Sequence, residues 1–211
     1  MRILIYVYYL VLLVSGFLAI KNFNKLNKSL KIFGILVIVT FVVELFAFYL
    51  AETRLNNIVV YVVFLPIQII LINWAYFIYH NDSLFRKTTI ILTLLFIVYY
   101  MFKVVGLNLS VFPDKLIMVE NIILCFIVAY SSFLMVSKQH YIEMKKNQLI
   151  WINMGFLFFL STTFFIWGFH YLFKTNEVNL ISRCTLLISN IILYLILAFG
   201  FFKVNTKSEN I

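Results

Sequence analysis

The chain has 211 residues, 64% of them apolar and only 12% charged, whereas a soluble protein is about 45–50% apolar. That exceeds what one water-soluble core of this size can bury, and it also excludes disordered, collagen-like and disulfide-stapled chains. The net charge of +9 is not a nucleic-acid footprint, because Lys and Arg fall between the apolar stretches, where they mark membrane topology.

A hydrocarbon core about 30 Å thick takes ~20 helical residues to cross. Seven stretches qualify, at approximately 3–20, 32–51, 58–79, 88–106, 116–136, 149–173 and 181–202. They predict an all-α polytopic membrane protein in which residues 1–211 form a single seven-transmembrane-helix bundle.

The first stretch is long for the apolar part of a secretory signal, lacks a small-x-small cleavage site and runs directly into Lys21, Lys25, Lys28 and Lys31. It reads as an uncleaved helix. The second carries Glu44, roughly 10 Å from its outer end by helical rise. The third holds Pro66 and, two residues on, Gln68; a proline kink beside a polar side chain suits a cavity, although interhelical hydrogen bonding accounts for it equally. The fourth has 15 uncharged residues before Lys103, which can snorkel to the interface. The fifth bears Glu120 and Asn121. The sixth contains Asn153 and the run Ser161-Thr162-Thr163, with His170 near its outer end. The seventh starts near Arg183 and contains Ser189 and Asn190. Trp74, Trp151 and Trp167 lie near span ends, as interfacial anchors or packing residues do. Cys125 and Cys184 read as packing thiols with no disulfide between them.

Lys and Arg number 4, 2, 3 and 2 after spans 1, 3, 5 and 7, and 1, 1, 2 and 2 at the N-terminus and after spans 2, 4 and 6. The positive-inside rule then places the N-terminus outside and the C-terminus in the cytoplasm. The connections are too short for a folded extramembrane domain, so any output comes from the bundle or from another polypeptide.

Ionisable groups at membrane depth are costly and normally face protein or water. Glu44, Gln68, Glu120, Asn121, His170, Arg183 and Asn190 are therefore the candidate lining of one outward-facing ligand pocket. The plainer reading is that each carboxyl fixes helix packing, that Arg183 snorkels or pairs with Glu177, and that His170 caps a helix end. One His with no second ligand at metal spacing gives no metal site. The final helix has no lysine for a retinal Schiff base. G-x-S-x-G, Walker and dinucleotide patterns are missing, and no Ser–His pair stands at recognisable spacing. No cofactor, metal or catalytic residue is expected.

The segment Trp151-Ile152-Asn153-Met154-Gly155-Phe156-Leu157 resembles small seven-helix integral membrane proteins of Bacteroidota. So do Asn190-Ile191-Ile192-Leu193-Tyr194 with Ala198, Gly200, Phe201 and Lys203, together with Val43-Glu44-Leu45 and Pro66-Ile67. The resemblance covers nearly the whole chain. It implies an inner-membrane protein in a signalling context beside sensor kinases, and it transfers no catalytic role to Glu44 or Glu120.

Three functions follow, in order. The first is a receptor-like or accessory component that passes pocket occupancy to a cytoplasmic partner, its basic segments 21–31 and 138–146 meeting that partner or anionic lipid. The second is a small-solute or proton-coupled transporter. A weak inverted repeat favours it, with Val43-Glu44 and Val119-Glu120 separated by 76 residues and Trp74 and Trp151 by 77. The third is a lipid-modifying enzyme using the two carboxyls as acid and base. The expected partners are the lipid bilayer, a cytoplasmic signalling protein and a small-molecule ligand, with no nucleic acid.

Overall fold

The computed structural model describes residues 2–105, 113–138, 147–172 and 176–203, with side chains throughout except at 2, 138, 169–172 and 176–179. Within them stand the seven helices: α1 Arg2–Lys21, α2 Lys28–Glu52, α3 Ile58–Tyr79, α4 Ser83–Val105, α5 Asp114–Lys138, α6 Gln148–Leu172 and α7 Asn176–Phe202. Each is long and apolar enough to cross a membrane, and the described residues form no strand.

Short polar side chains set several helix ends. Asn27 Oδ1 accepts from Leu30 N at 2.8 Å to start α2, and Asp82 Oδ1 accepts from Phe85 N at 3.0 Å to start α4. The Asp82 cap explains why α4 begins five residues before the expected 88. Arg86 on its first turns reaches back, Nε donating to the carbonyls of Phe77 and His80 at 3.1 and 2.7 Å. It thereby satisfies acceptors that the end of α3 leaves free. At the other end of α4, the Lys103 ammonium lies 5.7 Å from the Tyr99 ring centroid.

Helix adjacency gives the bundle its form. Going round, α1 packs on α2, α2 on α3, α3 on α5, α5 on α6, α6 on α7, and α7 back on α1, while α4 packs outside against α3 and α5. Six helices close a ring and the seventh stands beside it. In keeping with that, only 11% of the α4 span is buried, against 28–44% of the others. The α6–α7 seam is tight: a Cβ on Gly155 would meet Ile196 at 3.1 Å, and one on Gly200 would meet Ile152 at 3.2 Å. Small residues bring helix backbones close in this way where lipid supplies no hydrophobic drive. Asn22 Nδ2 ties the end of α1 to the Phe201 carbonyl of α7 at 3.0 Å, and Gln148 Nε2 ties the start of α6 to the Lys203 carbonyl.

Candidate functional site

The ring encloses a cavity of about 210 Å³. Tyr8, Tyr61, Phe64, Leu65, Gln68, Ile117, Glu120 and Asn121 in its wall come from the first halves of α1, α3 and α5. The cavity therefore lies mainly in the half of the bundle where the odd-numbered helices begin. Glu44, eight residues from the end of α2, and Glu120, six residues into α5, sit about 9–12 Å from that end by helical rise. No lining residue comes from α4.

Five of the seven sequence-derived candidates share this wall: Glu44, Gln68, Glu120, Asn121 and Asn190. Arg183 is exposed and stands off it, and the side chains of His170 and Glu177 lie outside the described residues. Among the described residues, no Lys, Arg or His lines the cavity.

Glu44 is set among tyrosines. The Tyr61 hydroxyl donates to its Oε2 at 3.3 Å, the Tyr9 hydroxyl donates to its backbone carbonyl at 3.5 Å, and Tyr8 stands beside its side chain. The Tyr8 and Tyr194 rings pack with centroids 6.0 Å apart. Across the cavity the polar groups are bare. Glu120 Oε1, Asn121 Nδ2 and Thr163 Oγ1 are fully buried atoms without a hydrogen-bond partner, on residues that are 2%, 3% and 4% exposed. Leaving such a group unsatisfied costs about 1–3 kcal/mol, and native structures rarely tolerate several in one place. Three around one void are what a bound polar molecule or ordered water would satisfy.

Several wall residues carry no strong sequence signal. Tyr8, Tyr61 and Tyr194 are hidden in a chain that is 19% aromatic. Trp167, which its position marks as an interfacial anchor, lines the cavity, whereas Trp74 and Trp151 are exposed at 53% and 43%.

Below the cavity a buried chain of contacts leads to the opposite end. Phe156, in the cavity wall, packs on Phe33 with centroids 5.4 Å apart, and Phe33 packs edge-on against Tyr76 at 5.5 Å. The Tyr76 hydroxyl donates to Asn153 Oδ1 at 2.7 Å. Asn153 Nδ2 donates to Ser132 Oγ at 3.0 Å and to Ser131 Oγ at 3.3 Å. Ser131 Oγ in turn lies 2.7 Å from His80 Nε2, at the end of α3. This Ser–His pair spans 51 residues, which is why spacing does not reveal it. Ser131 is 0% exposed and is not in the described lining of the cavity; its contact with His80 ties α5 to the end of α3. Among the described residues, no three His, Cys, Asp or Glu side chains are grouped to hold a metal ion.

No protein-family model, curated protein or solved structure matches the chain.

Proposed function

We propose that this multipass protein is a receptor-like or accessory component of a bacterial inner membrane, binding a small molecule in the ring cavity and acting through a cytoplasmic partner. The observation that carries the reading is the convergence of Glu120 Oε1, Asn121 Nδ2 and Thr163 Oγ1, all buried and unpartnered, on a wall shared with Glu44. Elsewhere helix packing joins buried polar groups to neighbouring helices, as it joins Asn153 to Tyr76 and Ser132.

The distribution of Lys and Arg supports an orientation with the N-terminus outside, which turns the cavity toward the outer leaflet. The continuous packing from Phe156 to His80 supports transmission to the cytoplasmic side, since coupling between distant sites is carried by contiguous packed elements. The resemblance to seven-helix proteins of Bacteroidota supports the inner membrane and a signalling context.

Cysteine labelling tests the reading. In a chain with Cys125→Ala and Cys184→Ala, Thr163→Cys should react with a small membrane-impermeant thiol reagent applied outside intact cells. Arg54→Cys, in the α2–α3 connection, should react fully and Asn81→Cys, in the α3–α4 connection, should not. Protection at Thr163→Cys with reaction at Arg54→Cys would remove the outward cavity. For the partner, retained co-purification after Lys138, Lys145 and Lys146 are all changed to Glu would remove that segment as its docking site.

Two carboxyls in one cavity also suit a proton-coupled transporter. pH-dependent solute flux in reconstituted vesicles, lost in Glu44→Gln and Glu120→Gln, would establish that reading in place of the first.

A further inference from the structure

The chemistry of the wall specifies more than that something binds. Two carboxyls, Glu44 and Glu120, face a cavity whose described lining holds no Lys, Arg or His, so among these residues no cation offsets either group, and an occupant that carries one would. An unpaired buried charge is expensive, and a paired, hydrogen-bonded one is tolerated. Seven of the twenty lining residues are aromatic, among them Tyr8, Tyr194 and Trp167. Aromatic faces attract organic cations and exclude water. The orphaned atoms differ in kind: Glu120 Oε1 calls for a donor, whereas Asn121 Nδ2 is itself a donor and calls for an acceptor. They belong to consecutive residues on the same wall, so the occupant must present a donor and an acceptor close together. At about 210 Å³ the cavity holds roughly seven waters' volume, enough for one ring and a short polar tail.

We infer that the cavity takes a small aromatic amine with an oxygen acceptor beside its ammonium group, the ammonium donating to Glu120 Oε1 and the oxygen accepting from Asn121 Nδ2. This rests on the cavity being a ligand site, as proposed above, and adds the class of ligand. Glu44, with its hydrogen bond from Tyr61, contributes a second negative charge, and Thr163 Oγ1 a further contact for the oxygen.

Three compounds with a shared phenyl ring and benzylic hydroxyl isolate the charge: 2-amino-1-phenylethanol, its neutral counterpart 1-phenyl-1,2-ethanediol, and the anion mandelate. Titrated calorimetrically into the purified full chain in nanodiscs at pH 7, the amine should bind at least about tenfold tighter than the diol, and mandelate should not bind. Glu120→Gln should cut the preference for amine over diol, with Glu44 keeping part of it. Asn121→Leu should weaken amine and diol alike, because both use the same oxygen. The wild-type comparison stands even if a variant fails to fold. Diol or mandelate binding as tightly as the amine would overturn the ligand class and leave the cavity as a binding site. Failure of all three to bind would overturn the ligand class too, and labelling at Thr163→Cys would decide separately whether the cavity is open. A preference for amine that survives Glu120→Gln unchanged would overturn the assignment to Glu120.

Discussion

The Tyr100 hydroxyl of α4 donates to the backbone carbonyl of Val62 in α3 at 3.1 Å, and Val62 is the residue whose helical partner would have been the missing N–H of Pro66. A proline in the helix interior frees one carbonyl, and a side chain from the one helix outside the ring takes it up. Tyr100→Phe should therefore destabilise the protein by about 1–3 kcal/mol, the cost of an orphaned acceptor in a membrane. In a Pro66→Ala background, where an N–H returns to Val62, the same change should cost much less. A cycle of the two substitutions by thermal unfolding in detergent checks this, and additive effects would contradict it.

Asn121 and Asn153 are buried alike, at 3% and 1% exposed, yet the same substitution should act on them in opposite directions. Asn121 Nδ2 has no partner, so Asn121→Leu should leave the melting temperature of the unliganded protein unchanged or raise it. Asn153→Leu strands the Tyr76 hydroxyl and removes a donor from both Ser131 and Ser132, and should cost about 2–4 kcal/mol. Scanning fluorimetry of the two purified variants separates them.

Gly155→Val should force α6 away from α7, because Ile196 already stands 3.1 Å from where a Cβ would be. Overpacking of this kind costs about 1–3 kcal/mol. Ile196→Ala in the same chain should restore much of the loss by vacating the space, measured as recovery of monodisperse protein after heating.

Tyr61→Phe removes the hydroxyl that donates to Glu44 Oε2. Stability should fall by about 0.5–1.5 kcal/mol. Combined with Glu44→Ala the two losses should not add, since both break one interaction. Additive losses in thermal unfolding would show that Tyr61 and Glu44 act independently.

The spans were legible because crossing lipid demands long unbroken apolar helices, and several helices run beyond the apolar stretch, as α4 does where Asp82 caps it. Glu44 and Glu120 were legible for the same reason reversed: a carboxyl in hydrocarbon is conspicuous. Gln68, Asn121 and Asn190 followed from their polarity. Arg183 did not join them, because α7 begins at Asn176 and Arg183, two turns in, falls on its exposed side. Tyr8, Tyr61 and Tyr194 could not be singled out, since a tyrosine facing a cavity and one facing lipid look alike in an aromatic-rich sequence. The His80–Ser131 contact and the position of α4 outside the ring depend on which helices are neighbours, and hydropathy does not encode that.

The order in which the ring is assembled has a consequence for biogenesis. Its closing seam joins α1 to α7, the first and last of the seven helices to leave the ribosome. Until α7 is made, the face of α1 that bears Tyr8, packed on Tyr194 in the finished bundle, lacks that neighbour. The site therefore comes into being only once α7 has joined the bundle, and a nascent chain stalled before α7 would carry the ring as an open crescent.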